Sequence, residues 1–144
     1  MSTLDKIWKK QNSLKLVLHY LYASIFCLLF SVVYEHFSHG VYSDYMIYLC
    51  LFPLLGGVLP FLLISLIKPL LFPGKLPRTF YHLGLITLTV GSCLSGIMEI
   101  YGTATDYIIY YWIMGTVLGV FGIVFYLFSV YHYYHHQGRD SLPE

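Results

Sequence analysis

The apolar positions of this chain gather into four unbroken runs, about Leu14 to Tyr34, Tyr45 to Ile67, Thr79 to Met98 and Tyr107 to Val130. Lys15 is the only Asp, Glu, Lys or Arg inside any of them. A helix rises about 1.5 Å per residue and the hydrocarbon core of a bilayer is about 30 Å thick, so about 20 apolar residues cross it. All four runs reach that length. Peptide groups in oil have no water to bond to and must pair within the protein, which leaves helices or a closed barrel. Barrel strands are only about ten residues long and alternate in polarity. These runs are longer and do not alternate, so the pattern predicts an all-α membrane protein with four transmembrane helices.

The stretches between the runs are short, which makes successive helices antiparallel neighbours in an up-down bundle. Pro69, Pro73, Gly74 and Pro77 crowd the connection between the second and third runs and are expected to stop both flanking helices. Inside the second run, Pro53 and Pro60 surround Gly56 and Gly57. That combination predicts a kink with backbone carbonyls freed near mid-membrane. Residues 1–134 are read as one transmembrane domain and residues 135–144 as a polar C-terminal tail. The first run is too long for a signal-peptide core and is followed by others like it, so it is expected to stay in the mature protein.

Composition agrees: hydrophobic residues make up 58% of the chain and charged residues 10%. A soluble domain usually devotes about a quarter of its residues to charge. A net charge of +1 with no basic cluster on a soluble face gives nucleic-acid binding no support. The distribution of charge is more informative. Lys6, Lys9, Lys10 and Lys15 lie at the start, Lys68, Lys75 and Arg78 between the second and third runs, and Arg139 after the fourth. The other two connections, Glu35 to Asp44 and Glu99 to Asp106, contain acidic residues and no Lys or Arg. Positive charge stays on the cytoplasmic side, so both termini are expected there (N-in/C-in). Trp8, Tyr20 and Tyr22, then Tyr42, Tyr45 and Tyr48, then Tyr101 and Tyr107 to Trp112, fall where headgroups should be and read as interfacial anchors. Cys27, Cys50 and Cys93 sit in apolar runs without a CxxC spacing and read as small buried residues.

Small and polar residues mark the faces that meet other helices. Gly115, Gly119 and Gly122 lie on one side of the fourth run and include a GxxxG pair. Such a face packs against another helix, of this bundle or of a partner, or against a flat cofactor. Gly84, Gly91, Ser95 and Gly96 do the same for the third run. In the first run, Tyr20, Ser24, Cys27, Ser31 and Glu35 recur at helical spacing and form a polar stripe, which turns away from lipid.

Two polar layers are candidates for chemistry. Near the basic end, His19, His82 and His132 fall at similar depths. Two histidines on neighbouring helices, His19 and His82, are the residue types that ligate a haem b iron axially. Near the acidic end, Glu35, His36 and His39 lie within five residues, a donor set for a transition metal. Glu35 and Glu99 each end a polar stripe there, and as a pair would relay a proton or ion. There is no HExxH, GxSxG, P-loop or dinucleotide fingerprint, which argues against hydrolase and nucleotide-driven readings.

The segment Phe37-Ser38-His39-Gly40-Val41, followed by Ser43 and Met46, resembles a pattern in small uncharacterised bacterial four-span membrane proteins. The resemblance implies a bacterial plasma membrane and brings no activity with it. Three roles remain open. The glycine face of the fourth run suggests a non-catalytic accessory or packing subunit with a membrane-protein partner or a homo-oligomer. His19 and His82 suggest a haem b electron-transfer protein. Glu35, Glu99 and the kinked second run suggest a component of an ion or metal transporter.

Overall fold

The computed structural model describes residues 3–38, 40–67, 73–103 and 105–139. Its elements are α1 (Thr3–Phe37), α2 (Asp44–Ile47), a π-helical segment (Phe52–Val58), α3 (Leu59–Ile67), α4 (Lys75–Ile100) and α5 (Ile108–Arg139). No strand occurs among the described residues. Among the described residues four stretches are long and apolar enough to cross a membrane: Gln11–Phe37, Asp44–Leu66, Lys75–Ile100 and Ile108–His132. They match the four predicted runs, and the second is assembled from α2, the π-helical segment and α3.

The helix ends follow local chemistry and correct one expectation. Pro77 does not stop a helix: α4 begins at Lys75, with Gly74 as its N-cap. A proline in a first turn lacks an N–H that would have no intrahelical partner anyway. The last helix runs through Arg139, beyond the end of its apolar span at His132. Lys68 and Pro69 lie outside the described residues, as do residues 140–144. At the other end of α4, Gly102 adopts φ +71°, the left-handed conformation that favours glycine. Its N–H donates to the Glu99 carbonyl at 3.1 Å and the Thr103 N–H to the Met98 carbonyl at 3.0 Å, a Schellman cap.

The second span is broken, and its neighbours repair the break. Pro60 has no N–H to offer the carbonyl four residues earlier, that of Gly56. The Tyr81 hydroxyl of α4 donates to that carbonyl at 2.7 Å. Ser24 and Ser31 of α1 donate to the carbonyls of Cys50 and Met46, at 3.1 and 2.7 Å. Ser92 of α4 donates to the Tyr45 carbonyl at 2.9 Å. The polar stripe of α1 therefore faces the interrupted span. Lipid supplies no hydrogen bonds, so these hydroxyls do there what water would do in a soluble protein.

Glycines set the close approaches. A Cβ on Gly84 would meet the Gly115 carbonyl oxygen at 2.8 Å and the Gly119 Cα at 2.8 Å. One on Gly122 would meet the Tyr81 backbone nitrogen at 2.6 Å, and one on Gly91 the Tyr111 Cβ at 2.9 Å. The glycine face of α5 is thus laid against α4. Gly119 is used differently from its neighbours: nothing lies within 4 Å of where its own Cβ would be, and it is its backbone that Gly84 touches. In the π-helical segment, a Cβ on Gly57 would run into the Tyr20 ring. Cys27, Cys50 and Cys93 are free thiols, half-buried and not enclosed as expected.

Pairs such as Ser13 with Ser65 and Ser31 with Met46 set the order along the first two spans. They place Lys15 and Arg78 at one end of the molecule and Glu35, Asp44 and Glu99 at the other.

Candidate functional site

The space vacated by the missing side chain of Gly57 is filled by Tyr20. The ring is only 8% exposed, so it is not the interfacial anchor expected from its position, whereas Tyr22 is 68% exposed. Tyr20 and Phe61 stack with ring centroids 5.6 Å apart and an interplanar angle of 14°. The His82 imidazole completes a near-parallel group, 5.2 Å from Tyr20 and 5.8 Å from Phe61. Within it, the Tyr20 hydroxyl and His82 Nδ1 share a short hydrogen bond. Either atom can donate. When Nδ1 holds the proton, the Tyr20 oxygen accepts and Nε2 keeps its lone pair.

His19 reaches the same arrangement by a local route. Its Nδ1 lies 2.6 Å from the carbonyl oxygen of Lys15, one turn earlier in α1. A carbonyl only accepts, so Nδ1–H is the donor and Nε2 carries the lone pair. His19 and His82 then line one open pocket of about 470 Å³ between α1 and α4, together with Asn12, Lys15, Arg78 and Thr79. The two predicted ligands are thus brought to one place, each with its Nδ1 tied. For His19 this is the state in which metal-bound histidines are found, and for His82 it is that state when Nδ1 donates to Tyr20, since a hydrogen bond from one ring nitrogen leaves the other free to ligate and sets its direction. His132, on α5, is exposed and is not among the residues lining this pocket.

Lys15, Arg78, Asn12 and Thr79 were not singled out from the sequence as site residues. Lys15 and Arg78 were legible there only as topology signals, because a cation near a span end serves that purpose wherever it points. Tyr20 lies on the polar stripe of α1, but its partner is set by Gly57 and Phe61 of the second span.

The other predicted residues are dispersed. His36 is exposed and stands edge-on to Phe37, with ring centroids 5.6 Å apart. His39 lies outside the described residues, and no three His, Cys, Asp or Glu among the described residues are grouped to hold a metal ion. Glu35 has one carboxylate oxygen, Oε1, buried without a hydrogen-bond partner. Glu99 accepts a hydrogen bond from Ser43 at 2.5 Å, and no hydrogen bond joins it to Glu35. Gly115, Gly119 and Gly122 lie against α4, as described above.

Comparison with protein-family models, with curated proteins and with solved structures finds no match, so the site is interpreted from its own chemistry.

Proposed function

We propose that this chain is a four-span integral membrane protein of the plasma membrane that binds haem b through His19 and His82 and transfers electrons. In this reading the helices form an up-down bundle with both termini in the cytoplasm, and the histidine pocket lies near the cytoplasmic surface. The observation that supports it is the convergence of His19 and His82 on one pocket with both Nδ1 atoms engaged. Haem supplies one-electron chemistry when held by two imidazoles. The chain's own residues would do the rest. His19 and His82 would hold the iron through Nε2, His82 in the tautomer whose Nδ1 donates to Tyr20. Tyr20, as the acceptor of that proton, and the Lys15 carbonyl would orient the rings and raise their basicity. Lys15 and Arg78, lining the same pocket, are placed to neutralise the two carboxylates of the haem edge, which would otherwise be drawn to water.

An electron passed by a single haem comes from one molecule and goes to another, so the reading includes a membrane-protein partner. A non-catalytic accessory or packing subunit is the alternative reading; the glycine face of α5 that suggests it packs against α4 of the same chain.

An absorption spectrum tests the proposal. Protein purified from cells supplied with haem is expected to show a Soret band that His82→Ala or His19→Ala removes or shifts, while His36→Ala leaves it unchanged. A chain that shows no Soret band after haem feeding would end the reading.

A further inference from the structure

At the acidic end, α2 is fastened to α4 by short side chains. Ser92 donates to the Tyr45 carbonyl at 2.9 Å, and Ser43, only 1% exposed, donates to Glu99 Oε2 at 2.5 Å. Gly96 admits the Met46 backbone, whose nitrogen would stand 3.1 Å from a Cβ there. The Schellman cap at Gly102 accepts through the Glu99 carbonyl and holds that residue's backbone as well. These contacts build one wall of a pocket of about 410 Å³ lined by Asp44, Tyr45, Tyr48, Phe52, Glu99 and Trp112. Trp112 comes from α5, and its ring centroid lies 6.1 Å from Tyr45 and 5.8 Å from Phe52, tilted by 53° and 58°. The pocket therefore combines two carboxylates with four aromatic rings contributed by three spans.

The occupant's charge follows from what the chain does not place there. Residues 35–67 and 79–138 contain no Lys or Arg, and the pocket lining holds no Lys, Arg or His, so no cationic side chain lines the pocket beside Asp44 and Glu99. The occupant's character follows from the rings. The faces of Trp, Tyr and Phe carry negative quadrupole potential and attract cations, Trp most strongly. Small hard metal ions instead need several oxygen ligands converging at close range. No three His, Cys, Asp or Glu converge in that way among the described residues. A large, weakly hydrated cation with apolar substituents satisfies carboxylates and rings together.

We propose that this pocket binds an organic ammonium cation, with Asp44 and Glu99 as counter-charge and Trp112, Tyr45, Tyr48 and Phe52 as walls. The proposal is independent of the haem site, which lies at the other end of the molecule. A dissolved amine and the choline headgroup of a lipid share this chemistry, and the experiment separates them.

The chain has two tryptophans, Trp8 and Trp112, so a Trp8→Phe background makes the fluorescence report on the pocket alone. Titration of this protein in detergent with tetraethylammonium chloride is expected to change Trp112 emission saturably, with sodium chloride at equal ionic strength giving no change. Glu99→Gln keeps an acceptor for Ser43 and so keeps the fold, which helicity and elution volume verify. It is expected to weaken binding about tenfold, and Tyr48→Leu by a similar factor. Repeating the titration in nanodiscs of phosphatidylcholine and of phosphatidylglycerol identifies the source. Competition confined to the choline lipid assigns the site to a headgroup, and equal affinity in both assigns it to a dissolved amine. The absence of a saturable signal, an equal signal with sodium, or an affinity unchanged in both variants would overturn the proposal.

Discussion

Tyr20 connects the broken span to the histidine pocket. Its ring occupies the place a side chain on Gly57 would take, and from there its hydroxyl meets His82 Nδ1. Tyr20→Phe keeps the stacking with Phe61 and removes only that hydrogen bond. Partners of this kind govern ligand affinity by about 10–100-fold. The variant is therefore expected to bind haem that much more weakly in a haem titration followed at the Soret band, with helicity unchanged. Gly84 and Gly119 give a second contrast between single positions. Gly84→Val forces a side chain into the backbone of α5 and is expected to destabilise by about 1–3 kcal/mol. Gly119→Ala points its methyl into open space and is expected to stay within about 0.5 kcal/mol. Unfolding in mixed micelles, followed by helicity, measures both.

The second span illustrates how much of an element is legible in residues alone. Pro53, Gly56, Gly57 and Pro60 announce a break with free carbonyls, and the structure has one, as a π-helical segment from Phe52 to Val58. Which residues close the break was partly legible too. Ser24 and Ser31 lie on the α1 stripe and donate to Cys50 and Met46. Tyr81 was not legible, because a tyrosine next to a span end reads as an interfacial anchor until the Gly56 carbonyl is seen opposite its hydroxyl. For the same reason Lys15 and Arg78 read as topology markers and not as pocket walls. Pairings between helices depend on rotation and depth, which periodicity leaves free. Ser43 and Trp112 were missed because the pocket they serve needs three spans in register.

The repair of the break can be measured. Tyr81→Phe removes the bond to the Gly56 carbonyl and is expected to cost about 0.6 kcal/mol, the average for such bonds in membranes. Pro60→Ala restores the N–H that can satisfy the same carbonyl from within the helix. In that background Tyr81→Phe is expected to cost less, so a double-mutant cycle gives a non-zero coupling. Equal costs in both backgrounds would mean that the hydroxyl does not serve the broken helix.

Taken as a whole, the molecule is asymmetric: basic residues and the histidine pocket lie at one end, and carboxylates with aromatic rings at the other. In the orientation proposed from the positive-inside rule, the first end would face the cytoplasm. In a chain with Cys27, Cys50 and Cys93 replaced by alanine, a cysteine at Ser38 is expected to react with an impermeant maleimide in intact cells. A cysteine at Lys75 is expected to react only after permeabilisation. Labelling of both from the same side would reject the topology.

In the proposed haem site α1 and α4 would each give one imidazole to the same iron. Electron paramagnetic resonance of the ferric protein tests this most directly. The expected result is a low-spin signal in the unmodified chain, converted to high-spin or lost in both His19→Ala and His82→Ala. A high-spin signal in the unmodified chain, or a low-spin signal that survives either substitution, would contradict it.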